Sequence, residues 1–199
     1  MRELQATGES ALTGGDPSTA KSSRFVRPVV LLAAVAVAIV VADLATKVWV
    51  VHHYADGHVT TLIPRVLEIE EARNGGAAFG IAGGATILFT IVAVAVIAFI
   101  VRNATRIHHL GWAVALGLLL GGAIGNLGDR VFRSPGVFRG HVVDWIYLHH
   151  WPIFNLADSG IVIGGLLAVA LAGRGYRLDG SREQPSDGPD GDLDERDSP

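Results

Sequence analysis

The chain has no cysteine, and its one methionine is the first residue. Without cysteine there is no thiol nucleophile, no disulfide framework and no thiolate metal site, and the redox compartment stays unmarked. Without internal methionine there is no Met-rich docking surface. Charge is sparse, at 18% Asp, Glu, Lys and Arg, and the net charge of −3 comes from an acidic tail rather than a charged face. No His-Glu-x-x-His occurs. His52-His53, His108-His109 and His149-His150 are adjacent pairs, and neighbours cannot face one metal from one helix surface. A metal centre is therefore not expected, nor any other cofactor. Gly117, Gly121, Gly122 and Gly125 fall at helical spacing with no strand before them, which reads as helix packing and not as a phosphate loop.

Apolar residues are abundant instead, at 50% of the chain, and they are clumped rather than periodic. A membrane-spanning helix needs about 20 such residues to cross roughly 30 Å of hydrocarbon. Four stretches meet that requirement: Pro28–Val51, Phe79–Val101, Leu110–Leu127 and Pro152–Ala172. The first has the basic approach of a cleaved signal peptide. It runs on through Asp43 and Lys47 without a small-x-small cleavage site, so it reads as the first membrane helix. Residues 1–25 and the acidic, Gly- and Pro-rich residues 175–199 are expected to be disordered cytoplasmic tails. Between them, 26–174 forms a four-helix membrane domain.

Lys21, Arg24 and Arg27, then Arg102 and Arg106, then Arg174, Arg177 and Arg182 lie beside the short connections and the chain ends. The positive-inside rule puts these in the cytoplasm with both termini, and puts the two long connections outside. Alternation in Val59–Glu70 predicts short strands, giving a small extracytoplasmic β-sheet in the first outer loop, followed by a close-approach turn at Asn74–Gly80. Trp145, Tyr147 and Trp151 form an interfacial aromatic belt.

On this threading the polar interruptions share one layer. At 1.5 Å per residue, Asp43 and Lys47 lie roughly 22 to 29 Å along the first helix, in its outer part. Asn126, Asp129 and Arg130 end the third helix, Asn155 and Asp158 occupy the first turns of the fourth, and Asn74 and Asp144 lie on the outer loops. An ionisable group costs roughly 2.5 kcal/mol or more at the bilayer centre and so usually marks a function. Asp144 and Asp158 are the candidates for chemistry. Two close carboxylates sharing one proton can hydrolyse a peptide bond, one accepting a proton from water and the other donating to the carbonyl oxygen. A helix N-terminal acid satisfied by backbone N–H groups is the competing reading for Asp158, and an ordinary loop acid for Asp144. The residues by themselves leave both open. Asp43 and Lys47, spaced i, i+4, favour a structural ion pair. Asn126 and Asn155 suit the positioning of a carboxylate or a substrate carbonyl, or equally plain interhelical hydrogen bonding.

Five blocks then stand in order: Asp43-Leu44-Ala45-Thr46-Lys47, Asn74-Gly75-Gly76-Ala77-Ala78-Phe79-Gly80, Gly125-Asn126-Leu127-Gly128-Asp129-Arg130, Val142-Val143-Asp144, and Phe154-Asn155-Leu156-Ala157-Asp158. Spread over Val29 to Ala172, they resemble the bacterial lipoprotein signal peptidases (signal peptidase II), which are membrane aspartyl endopeptidases. The resemblance implies Asp144 and Asp158 as the catalytic pair and Asp129 as a supporting acid. It implies that Asn126, Arg130 and Asn155 line the pocket while Asp43, Lys47 and Asn74 shape the site and its lid. The implied substrate is a prolipoprotein whose Cys bears diacylglycerol, cut on the N-terminal side of that Cys, in the bacterial cytoplasmic membrane. Beyond this substrate and membrane lipid no partner is called for: no nucleic acid, and a monomer. The stretch from Arg130 to Asp144 is somewhat long for the pattern, and the acidic tail is no part of it. Two rivals fit less well. A Gly-x-Gly-Asp intramembrane protease would need Gly where Asn126 stands, and a proton-coupled carrier would want its acids near the midplane.

Overall fold

The computed structural model describes residues 17–76 and 84–182, with side chains from Pro28 onward and, after the gap, from Thr86. Four helices are long and apolar enough to cross a membrane, with spans at Pro28–His53, Thr86–Arg106, Leu110–Phe132 and Leu156–Gly173. They belong to α1 (Pro17–His53), α2 (Gly84–Asn103, continued by a single 3-10 turn at Ala104–Arg106), α3 (Leu110–Phe132) and α4 (Leu156–Gly173). α3 is the central helix: it packs on α1, α2 and α4, and half of its most apolar stretch is buried. The other three turn most of their apolar side chains outward, as helices do where lipid replaces water.

Close approach explains α3's small residues. A Cβ on Gly121 would stand 2.7 Å from the Ala36 carbonyl oxygen of α1, and one on Gly125 would stand 2.6 Å from Asp43 Oδ2. Any side chain there would push α1 away from the polar groups described below. Leu32, Ala36, Ile100, Ile107, Ala113, Leu116 and Leu120 form the apolar core at the opposite end.

The boundaries differ from the sequence expectation in instructive ways. α1 starts at Pro17, so the helix enters the stretch expected to be a disordered tail and continues through Pro28. Pro28 removes a single intrahelical donor, which a helix tolerates outside the hydrocarbon. α3 continues past the end of the apolar span at Leu127 to Phe132, with Asp129 and Arg130 on its last turns as expected. α4 begins at Leu156 rather than Pro152, because Asn155 caps it. α2 begins at Gly84; the expected start at Phe79 and the turn residues 77–80 lie outside the described residues.

The sheet is a three-stranded antiparallel one, in the order β1 (Thr60–Ile63), β2 (Leu67–Asn74), β3 (Val142–Leu148). The expectation confined it to the first long connection. Its third strand comes from the second, so Asp144 sits on a strand and not in a loop. β3's other edge is closed by Phe154, which exchanges backbone hydrogen bonds with Ile146 at 2.8 and 3.1 Å.

At the opposite end, residues 175–182 also depart from the disorder expected of them. The Leu178 carbonyl accepts from the His108 N–H at 2.8 Å, Trp112 Nε1 donates to the Tyr176 carbonyl at 3.0 Å, and the Arg182 guanidinium lies 5.3 Å over the Tyr176 ring. Leu178 packs against the apolar core, and that burial holds the segment in place. The expected disorder of 1–16 and 183–199 lies outside the described residues.

Candidate active site

All nine residues singled out above meet at the sheet end of the bundle, in two adjoining clusters. The first is built on Lys47. Its ammonium has three protons and meets three oxygens: Asp43 Oδ2 at 2.7 Å, Asp129 Oδ2 at 2.9 Å and Asn126 Oδ1 at 3.2 Å. Asp43 and Lys47 share a helix face, as their spacing requires. Each acid also ties down a backbone group elsewhere. Asp43 Oδ1 accepts from the Ala157 N–H in the first turn of α4 at 3.0 Å, and Asp129 Oδ2 accepts from the Val143 N–H of β3 at 3.1 Å. Asp129 Oδ1 is paired with Arg133, one turn on. Buried charges stay ionised only when compensated in this way. The cluster pins α1, α3, α4 and β3 to one another.

The second cluster is built on Asn155. As N-cap of α4, its Oδ1 accepts from the Asp158 N–H at 2.8 Å, and Asp158 Oδ2 accepts in return from the Asn155 N–H at 3.2 Å, a reciprocal capping box. Asn155 Nδ2 donates to Asp144 Oδ1 at 2.6 Å, so one asparagine bridges both candidate acids. Asp144's other oxygen accepts from Asn74 Nδ2 at 2.9 Å. The register makes that contact: Asp144 is paired with Ala72, and Asn74, two residues on, projects from the same face. Asp158's other oxygen accepts from Asn126 Nδ2 at 2.7 Å. Asn126 Oδ1 takes both Lys47 Nζ and Asn155 Nδ2, and thereby joins the two clusters.

The competing reading of Asp158 is thus half right. It does accept a backbone N–H at a helix start, but its other oxygen is turned to an asparagine on the wall of a cavity. Asp144 is only 2% exposed and lies behind Asn74 and Asn155. Burial pushes its carboxyl up to about 6; the hydrogen bond from Asn74 opposes this, the Asp158 charge adds to it, and Asn155 and Lys47 pull it back.

The cavity, of about 660 Å³, lies between α2, α3 and α4. Its polar end presents Asn74, Asn126, Arg130 and Asp158, and the rest is apolar, with Val92, Val96, Leu119 and Ile161 among its walls. Arg130 donates from Nη1 to the Asn126 carbonyl at 3.2 Å and lies 5.8 Å over the Phe89 ring, while its buried Nε has no partner among the described residues. No group of three or more His, Asp or Glu among the described residues is arranged to hold a metal ion.

A family model for Signal peptidase (SPase) II matches residues 35–172. This chain belongs to the signal peptidase II family. Signal peptidase II is a protease family, and the match spans every residue of both clusters. Similar family members include the lipoprotein signal peptidase of Streptomyces coelicolor, 50% identical over 80% of this chain and 78% of that one. That of Mycobacterium tuberculosis is 38% identical over 90% and 88%. A solved bacterial membrane enzyme, determined by the in meso method at 1.9 Å, superposes with a TM-score of 0.61 at 34% identity, covering 69% of this chain and 89% of its own. The described fold is therefore a signal peptidase II fold.

Sequence reasoning missed Arg133, the second cation on Asp129. Its signal was the same i, i+4 spacing that joins Asp43 to Lys47, and it went unread because Arg133 lies beyond the apolar span, in what reads as the outer loop.

Proposed function

We propose that the protein removes signal peptides from diacylglyceryl-modified prolipoproteins, cutting N-terminal to the lipidated Cys, by water activation between Asp144 and Asp158. The observation that carries this reading is one residue, Asn155, whose side-chain amide donates to the Asp144 carboxyl and whose backbone N–H donates to the Asp158 carboxyl, with Asp158 on the polar wall of an apolar cavity. The names of the family relatives, lipoprotein signal peptidases, support the substrate class. Neither acid has an ion-pair partner among the described residues, whereas Asp43 and Asp129 do.

In the mechanism, the dyad shares one proton. The ionised carboxylate takes a proton from a water lodged between the acids as that water attacks the scissile carbonyl. The protonated one donates to the carbonyl oxygen, giving a neutral gem-diol whose collapse releases the amine. The capping box fixes Asp158, the sheet register fixes Asp144, and the Asn amides keep both oriented as the proton moves. The Arg130 Nε is free to hold a substrate carbonyl beside them. The diacylglyceryl chains occupy the apolar part of the cavity between α2 and α4, so the lipid need not leave the bilayer for the peptide bond to reach the acids.

The same reading puts the sheet end outside and both termini in the cytoplasm of a bacterial cell, because the basic residues beside the short connections mark the other end. It takes residues 26–174 as the peptidase domain, working as a monomer without a cofactor, with the acidic tail outside the chemistry. A cleavage assay with a synthetic lipobox peptide tests it. The diacylated peptide is cut in the presence of a chelator and the unlipidated one is not. Equal cutting of both would reject the substrate, and loss on chelation would reject the mechanism.

A further inference from the structure

The loop between α3 and β3 is the stretch that is long for the family pattern, and the chemistry above makes no use of most of it. It is folded: the Gly140 N–H donates to the Arg130 carbonyl at 3.0 Å, the His141 N–H to the Ser134 carbonyl at 2.9 Å, and the Arg139 N–H to the Gly136 carbonyl at 3.0 Å. Thr90 of α2 reaches the Phe138 carbonyl at 3.3 Å. Yet Phe132, the last residue of α3, is 88% exposed, and this ordered loop displays Val137 at 66% and Phe138 at 51% exposure. Phe138 is even held at φ 63°, a conformation that a bulky residue adopts only when its surroundings impose it.

Depth gives these side chains a place. α3 spans 23 residues, about 34 Å, slightly more than the roughly 30 Å of hydrocarbon, so Phe132 at its end lies at the membrane interface. The same loop gives Pro135, Arg139 and His141 to a second cavity of about 310 Å³, whose other walls are Gly75, Thr86 and Ile87. Arg133 and Arg73 have carboxylate partners; Arg139 has none within ion-pair distance among the described residues. Residues 77–83, Ala-Ala-Phe-Gly-Ile-Ala-Gly, contain no acid that could supply one. An arginine with no counter-ion among the described residues, an imidazole that can offer an N–H, and exposed aromatic and aliphatic side chains at interface depth together match one ligand class.

We propose that the loop from Phe132 to His141 binds an anionic phospholipid of the leaflet on the sheet side. Phe132, Val137 and Phe138 lie among its acyl chains, and Arg139 with His141 binds its phosphate. This lipid is not the substrate, because a diacylglyceryl thioether carries no phosphate. Its headgroup lies against Gly75, beside the Asn74 that holds Asp144, where the His141 ring already leaves no room for a glycine Cβ.

The test is binding of dioctanoyl phosphatidylglycerol to the full chain in neutral detergent, read by native mass spectrometry and by titration. It needs no cleavage, so it stands apart from the proposed reaction. Loss of a charge-assisted hydrogen bond weakens binding by about tenfold or more in Arg139→Gln, while Arg139→Lys retains most of it. His141→Gln and Phe132→Ser each weaken it less, and all four variants melt with the parent. Undiminished binding by Arg139→Gln and His141→Gln overturns the proposal. Equal binding of dioctanoylglycerol would reduce the site to an apolar surface, and displacement by inorganic phosphate at equal concentration would reduce it to an ion site; either result overturns it. In lipid-free detergent, KM for the lipobox peptide is unchanged in Arg139→Gln, and a rise would assign the loop to substrate instead.

Discussion

Four carboxylates crowd the sheet end of the bundle, and they are satisfied in two different ways. Asp43 and Asp129 face full positive charges, Lys47 between them and Arg133 on the far side of Asp129. Asp144 and Asp158 face amides: Asn74 and Asn155 for the one, Asn126 and the Asn155 backbone for the other. A cation beside a carboxylate favours its ionised form and opposes the effect of burial. An amide orients it and stabilises its charge far less, so the acid can take up and give back a proton. The paired acids therefore act as mortar between elements, and the amide-held acids are the two that the proposed mechanism uses. Asn126 touches both groups, and so ties the ion-paired cluster to the amide-held one.

The sharpest way to break this comparison is to neutralise one acid of each kind. Asp144→Asn and Asp158→Asn are each expected to lower turnover of the diacylated peptide by about 10⁴-fold or more, since members of one catalytic unit are not replaceable singly. Neither should unfold the protein. For Asp144 the sign of the stability change also follows. Its folded pKa, about 6, lies above the ordinary 3.8, so its contribution to stability is complete below the lower value and is lost as pH rises through the upper one. Asp144→Asn cannot ionise, and it should gain on the parent in melting temperature as pH rises through that window. Turnover within about tenfold of the parent in either variant would remove the distinction between the two kinds of acid.

Breaking the other side should reverse the pattern. Lys47→Met leaves Asp43 buried without a cation and Asp129 with Arg133 alone, and loss of one partner of a buried ion pair costs about 3–5 kcal/mol. Thermal melting in detergent should show this, with activity falling because the protein unfolds. Asp129→Asn is milder. It keeps an oxygen for the Val143 N–H and leaves Lys47 with Asp43, so stability should fall by about 1–3 kcal/mol, and by at least as much as activity. A Lys47→Met protein that melts like the parent would show that the charges are not what pins the helices.

How much of this was legible in the sequence follows from the range of each signal. Lys47 with Asp43 is a local signal, four residues apart on one helix, and it was readable. The spans were readable because lipid imposes length and apolarity on each separately. The third strand was not. Val142–Leu148 is nearly all apolar and shows no strict alternation, and its partner, Leu67–Asn74, is far back in the chain. Pro152 looked like a helix start, while the true cap, Asn155 with Asp158 three residues on, carried a capping pattern that the proline overshadowed. Residues 175–182 read as tail because Leu178 is a single apolar residue among polar ones. Its burial exists only once the α2–α3 turn is beside it. The acids could be named from the motif blocks, but the amides that join them became visible only in three dimensions.

The smallest expected effect is also the finest test of amide against cation. On the proposed mechanism the two acids share one proton, burial pushes the Asp144 carboxyl up to about 6, and activity is expected to fall as pH rises and that proton is lost. The profile of kcat/KM reports the free enzyme, so its alkaline limb should begin near 6. The Asn74 hydrogen bond holds that value down against burial. Asn74→Ala removes the bond and should therefore move the limb to higher pH, with a modest loss at the optimum. An Asn74→Leu variant, as dry but bulkier, should move it the same way. If the limb stayed in place in both variants, Asn74 would be only a spacer between strand and cavity, and the difference between the two clusters would lie in geometry rather than in how each acid holds its proton.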